Sequence, residues 1–379
     1  MTAILPCDWR AAVLLGRIET ADGPAPVLVR HGRLIDISAY APTTAQALAR
    51  PDLGAAEGRD LGAVEDMKVA TAWGDDGVVL LSPLDLQCIK ASGVTFAVSA
   101  LERVIEERAR GDAAAANAIR QGLQERIGGE LKDLKPGSPQ AETVKAQLIA
   151  DGLWSQYLEV AIGPYAEIFT KAPVLASVGA GAAVGVRADS AWNNPEPEVV
   201  IVCDPAGRPV GASLGNDVNL RDIEGRSALL LGKAKDNNAS AAVGPFIRLF
   251  DADFTMDDVR AATVRLEVEG QDAFVMTGES SMRLISRDPE DLVAQTLSAH
   301  QYPDGFALYL GTMFAPVEDR GEPGKGFTHK VGDRVRVSSE KLGLLENVVA
   351  NCDQAPPWTL GVTGLMRNLA ARGLLGGGA

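Results

Sequence analysis

Aromatic side chains make up only 5% of this 379-residue chain, and histidine is scarcer still, with three residues at His31, His300 and His329. Their contexts are unrelated, so spacing gives no support to a histidine-built metal centre or a nucleophile–histidine relay. Cysteine is rare as well: Cys7, Cys88, Cys203 and Cys352 are scattered, with no Cys-x-x-Cys. That excludes a disulfide scaffold and a zinc knuckle, and fits reduced thiols in a cytoplasmic protein. Basic residues fall short of acidic ones, 36 Lys and Arg against 50 Asp and Glu, a net charge of −14. Nucleic acid and anionic membrane surfaces both demand local positive charge and are therefore not expected partners. No uninterrupted apolar run approaches the roughly 18–20 residues of a membrane span. The mildly apolar residues 1–15 are broken by Asp8 and Arg10 and have no basic n-region, so they do not read as a signal peptide. The expectation is a cytoplasmic protein, with a small anionic substrate left open through a local site.

What is present divides unevenly. Residues 1–75 read as a small β-rich module, with apolar stretches Ala11 to Ile18 and Val27 to Ile37 punctuated by Asp22-Gly23-Pro24 and Gly32. Residues 99–160 read as helical: Leu101, Val104 and Ile105 share a face, while Glu102, Glu106, Glu107 and Arg108 read as a solvated one. Lys135-Pro136-Gly137-Ser138-Pro139 breaks this region into at least two helices, and the helical period resumes over Gln140 to Tyr157. Beyond Ala172, strand candidates at Val199 to Cys203, Val264 to Val268, Phe306 to Leu310 and Val331 to Val337 lack regular helix alternation. An antiparallel or mixed β architecture is favoured over a doubly wound sheet. The Gly376 to Ala379 end is expected to fray.

The most informative chemistry lies in Glu196-Pro197-Glu198 and the later Asn216-Asp217. Carboxylates at i and i+2 on an extended segment point to one side of the chain. A hairpin turning at Asp204-Pro205-Ala206-Gly207 would bring Asp217 back beside them. Three convergent oxygens suit a hard cation, Mg²⁺ or Mn²⁺. From spacing alone, an acidic strand edge without metal is an equal alternative. Lys235, farther along, could neutralise a substrate carboxylate or a developing enolate beside such a cation; a lone Lys is otherwise a surface charge. Two further motifs carry less. The run Val178 to Gly185 has Val184 where a dinucleotide fingerprint needs Gly or Ala, and reads as a turn. Gly211-Ala212-Ser213-Leu214-Gly215 matches a nucleophile elbow only formally, since Ser213 closes a predicted hairpin.

Taken in order, Glu196-Pro197-Glu198, Asn216-Asp217 with Arg221-Asp222, Lys235 and Gly311-Thr312 resemble the fumarylacetoacetate hydrolase superfamily, over residues 82–349. Gly185-Val186-Arg187-Ala188-Asp189-Ser190-Ala191-Trp192 leading into Asn194-Pro195-Glu196, the phrase Asp222-Ile223-Glu224-Gly225, and Glu167-Ile168-Phe169-Thr170-Lys171 look closest to its 2-keto-3-deoxy-pentonate dehydratases of oxidative pentose degradation. The resemblance implies an α+β, mainly β fold: a mixed β-roll catalytic domain over residues 76–379, a smaller N-terminal domain over 1–75, and the helical segment 99–160 beside or over the site. Homo-oligomers are usual in that superfamily.

The resemblance also implies roles. Glu196, Glu198 and Asp217 would hold Mg²⁺, with Mn²⁺ as a substitute. Glu167 would transfer the proton, Lys235 would face a small anionic 2-oxo acid, and Thr312 would hold the substrate carboxylate. Arg221 and Asp222 would brace Asp217. The implied reaction dehydrates a 2-keto-3-deoxy-pentonate, such as 2-keto-3-deoxy-D-xylonate, to 2-oxoglutarate semialdehyde. A Mg²⁺-dependent acylpyruvate or fumarylacetoacetate-type hydrolase is the alternative. One departure bears on the choice: where hydrolases place a catalytic His shortly before a Glu, this chain has Ser99 before Glu102.

Overall fold

A computed structural model describes residues 1–127, 134–314, 316–321, 323 and 325–375. The expected fraying of Gly376 to Ala379 lies outside the described residues.

The strand Pro197–Cys203 is buried along its whole length, as a continuous apolar run with β-branched residues predicts. It pairs antiparallel with Pro209–Asp217, and the expected turn between them is present. Asp204 Oδ1 accepts the Ala206 and Arg208 N–H groups at 2.9 Å each, and Gly207 takes the left-handed conformation, φ +80°, that glycine adopts freely. On one side the hairpin continues through Ala241–Leu249 to Leu14–Thr20, Gly23–Arg30, Arg33–Asp36 and Arg59–Ala63. On the other it continues through Phe306–Tyr309 to Cys88–Gly93 and Glu167–Ala172. With Leu80–Leu81 paired to Leu14–Thr20, these form an eleven-stranded sheet. Its pairs are antiparallel except Phe306–Tyr309 with Cys88–Gly93, which run parallel. The expected boundary near residue 75 does not interrupt the sheet, because Leu14 and Leu15 pair with Arg248 and Ile247.

A second sheet of five strands runs Val275–Ser281, Thr263–Glu269, Arg334–Ser339, Gly343–Asn351, Ala183–Val186. It covers one face of the large sheet: Leu266, Val337 and Leu345 share a core with Val199 and Ile201. The opposite face buries Val200, Val202 and Tyr309 with Leu48 and Leu53. Period-2 alternation thus sends successive valines of one strand into different cores. The run Val178 to Gly185 becomes a turn and the strand Ala183–Val186, with no nucleotide-type helix after it. Ser213 lies within Pro209–Asp217, its hydroxyl donating to the Phe246 carbonyl at 2.9 Å, so no elbow exists there.

The helical segment contains Ala97–Ala109, Ala113–Ile127, Pro139–Ala150 and Gln156–Ile162. The break before Pro139 is where the sequence puts it: Ser138 Oγ accepts the Ala141 N–H at 3.2 Å, with Pro at the first helical position. The expected continuous period over Gln140 to Tyr157 is two helices instead, divided at Gly152, φ +66°, with Ser155 capping the second. The solvated face expected on the first helix is also corrected. Glu102 and Glu106 are buried, because that helix lies against the acidic end of the central hairpin.

Candidate metal and active site

Register builds the site. Glu198 sits opposite Gly215 and Pro197 opposite Asn216, so Asp217, one residue on, returns beside Glu196, whose carbonyl accepts the Asp217 N–H at 3.0 Å. Asn216 Oδ1 accepts the Glu196 N–H at 3.1 Å. Carboxylate oxygens of Glu196, Glu198 and Asp217 all lie within 4.8 Å of one another, and all three residues are buried. The sequence-predicted triad is therefore assembled.

Its electrostatics separate the three acids. Lys235 donates to Glu196 and, at 3.0 Å, to Asp217; Lys171 reaches Asp217 at 2.7 Å. Arg103 donates to Glu196 at 2.6 Å. Burial alone would raise the Glu196 pKa, but Lys235 and Arg103 outweigh it and hold it at about 2. The same acids drive Lys235 upward against its burial. Glu198 contrasts. It accepts the Gly311 N–H at 2.7 Å and the Thr312 hydroxyl at 3.3 Å, and no ion pair reaches it among the described residues. Burial, then Asp217 and Glu196, push its pKa far above the carboxylate range. A buried carboxylate that accepts two hydrogen bonds but has no cation, flanked by two further hard oxygen donors, fits a divalent oxygen-seeking ion.

Glu167 lies at the edge of this cluster on the strand Glu167–Ala172, half-buried. Burial and Glu224 outweigh Arg103 and Lys235 to put its pKa at about 7. Its carboxylate occupies space left by its cross-strand partner Gly93: a Cβ there would come within 1.9 Å of Glu167 Oε2. Thr312 is buried and its hydroxyl is placed on Glu198.

Several residues that sequence reasoning left out surround these. Arg103 spans Glu196, Glu106 at 2.6 Å and Glu224 at 3.0 Å, and Arg221 pairs with Glu106 at 3.1 Å. Lys171 and Glu224 stand inside the phrases that carry the resemblance and were given no role. Arg221 and Asp222 do not brace Asp217: Arg221 also donates to the Pro316 carbonyl at 2.9 Å, while Asp222 accepts from the Ser190 hydroxyl and Ala191 N–H at 2.8 Å each. Ser99, in the place of the hydrolase His, is engaged within its own helix start: it accepts the Phe96 N–H at 3.2 Å and donates to the Phe96 carbonyl at 2.8 Å. Glu102 is taken by Arg120 at 2.8 Å.

No family model matches the chain. Over 182 residues, 47% of its length, it is 31% identical to the 2-dehydro-3-deoxy-D-arabinonate dehydratase of Saccharolobus solfataricus, covering 57% of that protein. Over 193 residues, 51% of its length, it is 29% identical to a probable 2-keto-3-deoxyxylonate dehydratase of Haloferax volcanii, covering 63%. The matched region thus spans only about three-fifths of each curated relative. Among solved structures, the apo form of 2-keto-3-deoxy-D-arabinonate dehydratase superposes with a TM-score of 0.64 at 20% identity, over 89% of this chain and 99% of that one. Its complex with magnesium and 2,5-dioxopentanoate gives 0.63 at 20% identity, with the same coverage. A 2-hydroxyhepta-2,4-diene-1,7-dioate isomerase from Mycobacterium marinum gives 0.54 at 18% identity, over 90% and 99%. The described helices include none long and apolar enough to cross a membrane. The fold is the fumarylacetoacetate hydrolase-like one shared with these solved structures, and the expected resemblance to 2-keto-3-deoxy-pentonate dehydratases is borne out by the two curated relatives over the matched region.

Proposed function

We propose that this chain is a Mg²⁺-dependent hydro-lyase that converts a 2-keto-3-deoxy-pentonate to 2,5-dioxopentanoate, the 2-oxoglutarate semialdehyde. The carrying observation is the buried triad of Glu196, Glu198 and Asp217 beside a glutamate, Glu167, whose pKa near 7 suits proton transfer at neutral pH. A Mg²⁺ ion held by those three carboxylates would polarise the 2-keto group and acidify the C3 protons. Glu167 takes a proton from C3 and, protonated, can return it to the departing C4 hydroxyl. One water leaves and a C3–C4 double bond forms; transfer of a C5 proton to C3 then gives the C4–C5 enol, whose hydroxyl proton passes to C4 to yield the C5 aldehyde. Lys235 contributes positive potential where the anionic 2-oxo acid would bind, and Thr312, whose hydroxyl donates to Glu198 in the metal-free protein, would turn it to the substrate carboxylate once the ion takes Glu198. The magnesium and 2,5-dioxopentanoate complex of the structural neighbour supports both metal and product class.

Hydrolysis of a carbon–carbon bond is disfavoured because the two positions that would activate water, Ser99 and Glu102, are spent on the Phe96 backbone and on Arg120. The test incubates purified protein with 2-keto-3-deoxy-D-xylonate and 2-keto-3-deoxy-L-arabinonate, with Mg²⁺ or EDTA, coupling semialdehyde to an NADP-dependent dehydrogenase. Mg²⁺-dependent signal with either acid is expected; cleavage of an acylpyruvate into two acids, with no semialdehyde, would overturn the reading. Homo-oligomeric assembly in the cytoplasm is proposed alongside it.

A further inference from the structure

We infer that Arg103 is a positioning residue of the divalent-cation site, holding one oxygen of Glu196 so that the other is presented to the ion. The inference rests on the acidic triad being a metal site, as proposed above.

The two oxygens of Glu196 have different partners. Oε2 meets the Lys235 ammonium, which also meets Asp217, so Oε2 is on the side of the other triad members. Oε1 accepts from Arg103 Nη2 at 2.6 Å. The other guanidinium nitrogen, Nη1, lies 2.6 Å from Glu106 Oε2 and 3.0 Å from Glu224 Oε2. Glu106 is gripped in turn by Arg221 at 3.1 Å, and Arg221 is tied to the Pro316 carbonyl. A buried chain of alternating charge therefore runs from Pro316 through Arg221, Glu106 and Arg103 to Glu196.

Such a chain does what a lone ion pair cannot. A glutamate has three rotatable side-chain bonds, and Mg²⁺ tolerates little departure from octahedral geometry. A planar guanidinium pinned by two other carboxylates fixes both the position and the plane of the third. Arg103 and Glu106 are three residues apart on the helix Ala97–Ala109 and so share a face, which makes that helix the carrier of the device. Burial of these charges is weak evidence for a purely stabilising role, because desolvation offsets most of the Coulombic gain. Groups that orient metal ligands typically contribute 10–100-fold to metal affinity.

The experiment titrates full-length wild-type and Arg103→Lys protein with Mn²⁺, followed by the EPR signal of the free ion, and with Mg²⁺ by calorimetry. Lysine keeps the charge but lacks the planar fork that fixes the plane of the Glu196 carboxylate. We expect the dissociation constant to rise about 10–100-fold, with native circular dichroism and with turnover recovered at saturating Mg²⁺. Glu106→Gln, which loosens the guanidinium but leaves it in place, should weaken binding in the same direction and less, and serves if Arg103→Lys does not fold. Variants that lose thermal stability yet bind Mn²⁺ with the wild-type constant would show a structural clamp and overturn the inference alone. Absence of Mn²⁺ binding by the wild-type protein would overturn both the inference and the metal reading.

Discussion

Glu167 sets the expected pH behaviour. With its pKa near 7 in the metal-free protein, the carboxylate proposed to abstract the C3 proton is populated as pH rises through neutrality, so kcat/KM should climb over that range. A divalent ion at the triad favours the carboxylate and should move the limb to lower pH; pH profiles at low and saturating Mg²⁺ measure the displacement. The stability sign is opposite. Because the folded pKa stands above the ordinary value of 4.5, the folded state binds the extra proton between about 4.5 and 7. Glu167's contribution is therefore fully present below that window and is lost as pH rises through it. Glu167→Gln should remove this dependence and lower turnover by about 10²–10⁴; unchanged turnover would pass the proton-transfer role to another group. Gly93→Ala tests the same carboxylate from across the strand pair. A methyl group 1.9 Å from Glu167 Oε2 must displace it, so turnover should fall while Mn²⁺ affinity holds. Loss of both together would mean the substitution disturbs the whole site.

Among the elements, legibility followed the local period. Pro197–Cys203 was readable because Val199 to Cys203 is apolar on both faces and ends at a turn-forming Asp-Pro-Ala-Gly. The triad was readable because i and i+2 on a strand are fixed by the pleat. Arg103 and Glu106 were not, since a charged helical face looks the same whether it meets water or other buried charges. Only the tertiary partners Glu196, Glu224 and Arg221, all more than ninety residues away in the chain, tell the two apart. The division at Gly152 was obscured because Leu148, Leu158 and Tyr157 all enter one core across it. Ser99 offers a test at this scale. Its hydroxyl serves the start of Ala97–Ala109, so Ser99→Ala should cost about 1 kcal/mol in denaturant unfolding with semialdehyde formation retained. A collapse of turnover with unchanged stability would place Ser99 in the chemistry instead.

For the molecule as a whole, the uncompensated Glu198 predicts a stability that depends on the proposed ion. Mg²⁺ at 100 times its dissociation constant should stabilise the folded state by about 2.7 kcal/mol, read as a rise in melting temperature that EDTA reverses. Glu198→Gln should abolish the rise and leave the metal-free protein at least as stable, because the substitution removes a carboxyl that burial and its neighbours already disfavour as an anion. A full Mg²⁺ response in that variant would exclude Glu198 as a ligand. An antiparallel or mixed β architecture was foreseeable from the strand-rich sequence beyond Ala172. That the first strands join the same sheet was not, because pairing of Leu14 with Arg248 leaves no local trace.

The parallel pairing of Phe306–Tyr309 with Cys88–Gly93 has a consequence for biosynthesis. It places Gly311, whose N–H holds Glu198, at the end of the strand that must cross from the last third of the chain to a partner made long before. On the ribosome, the three carboxylates emerge well ahead of the backbone that secures one of them. Loop closure across such a separation slows folding. The Gly311 anchor of Glu198 therefore becomes available only after all three carboxylates have been made.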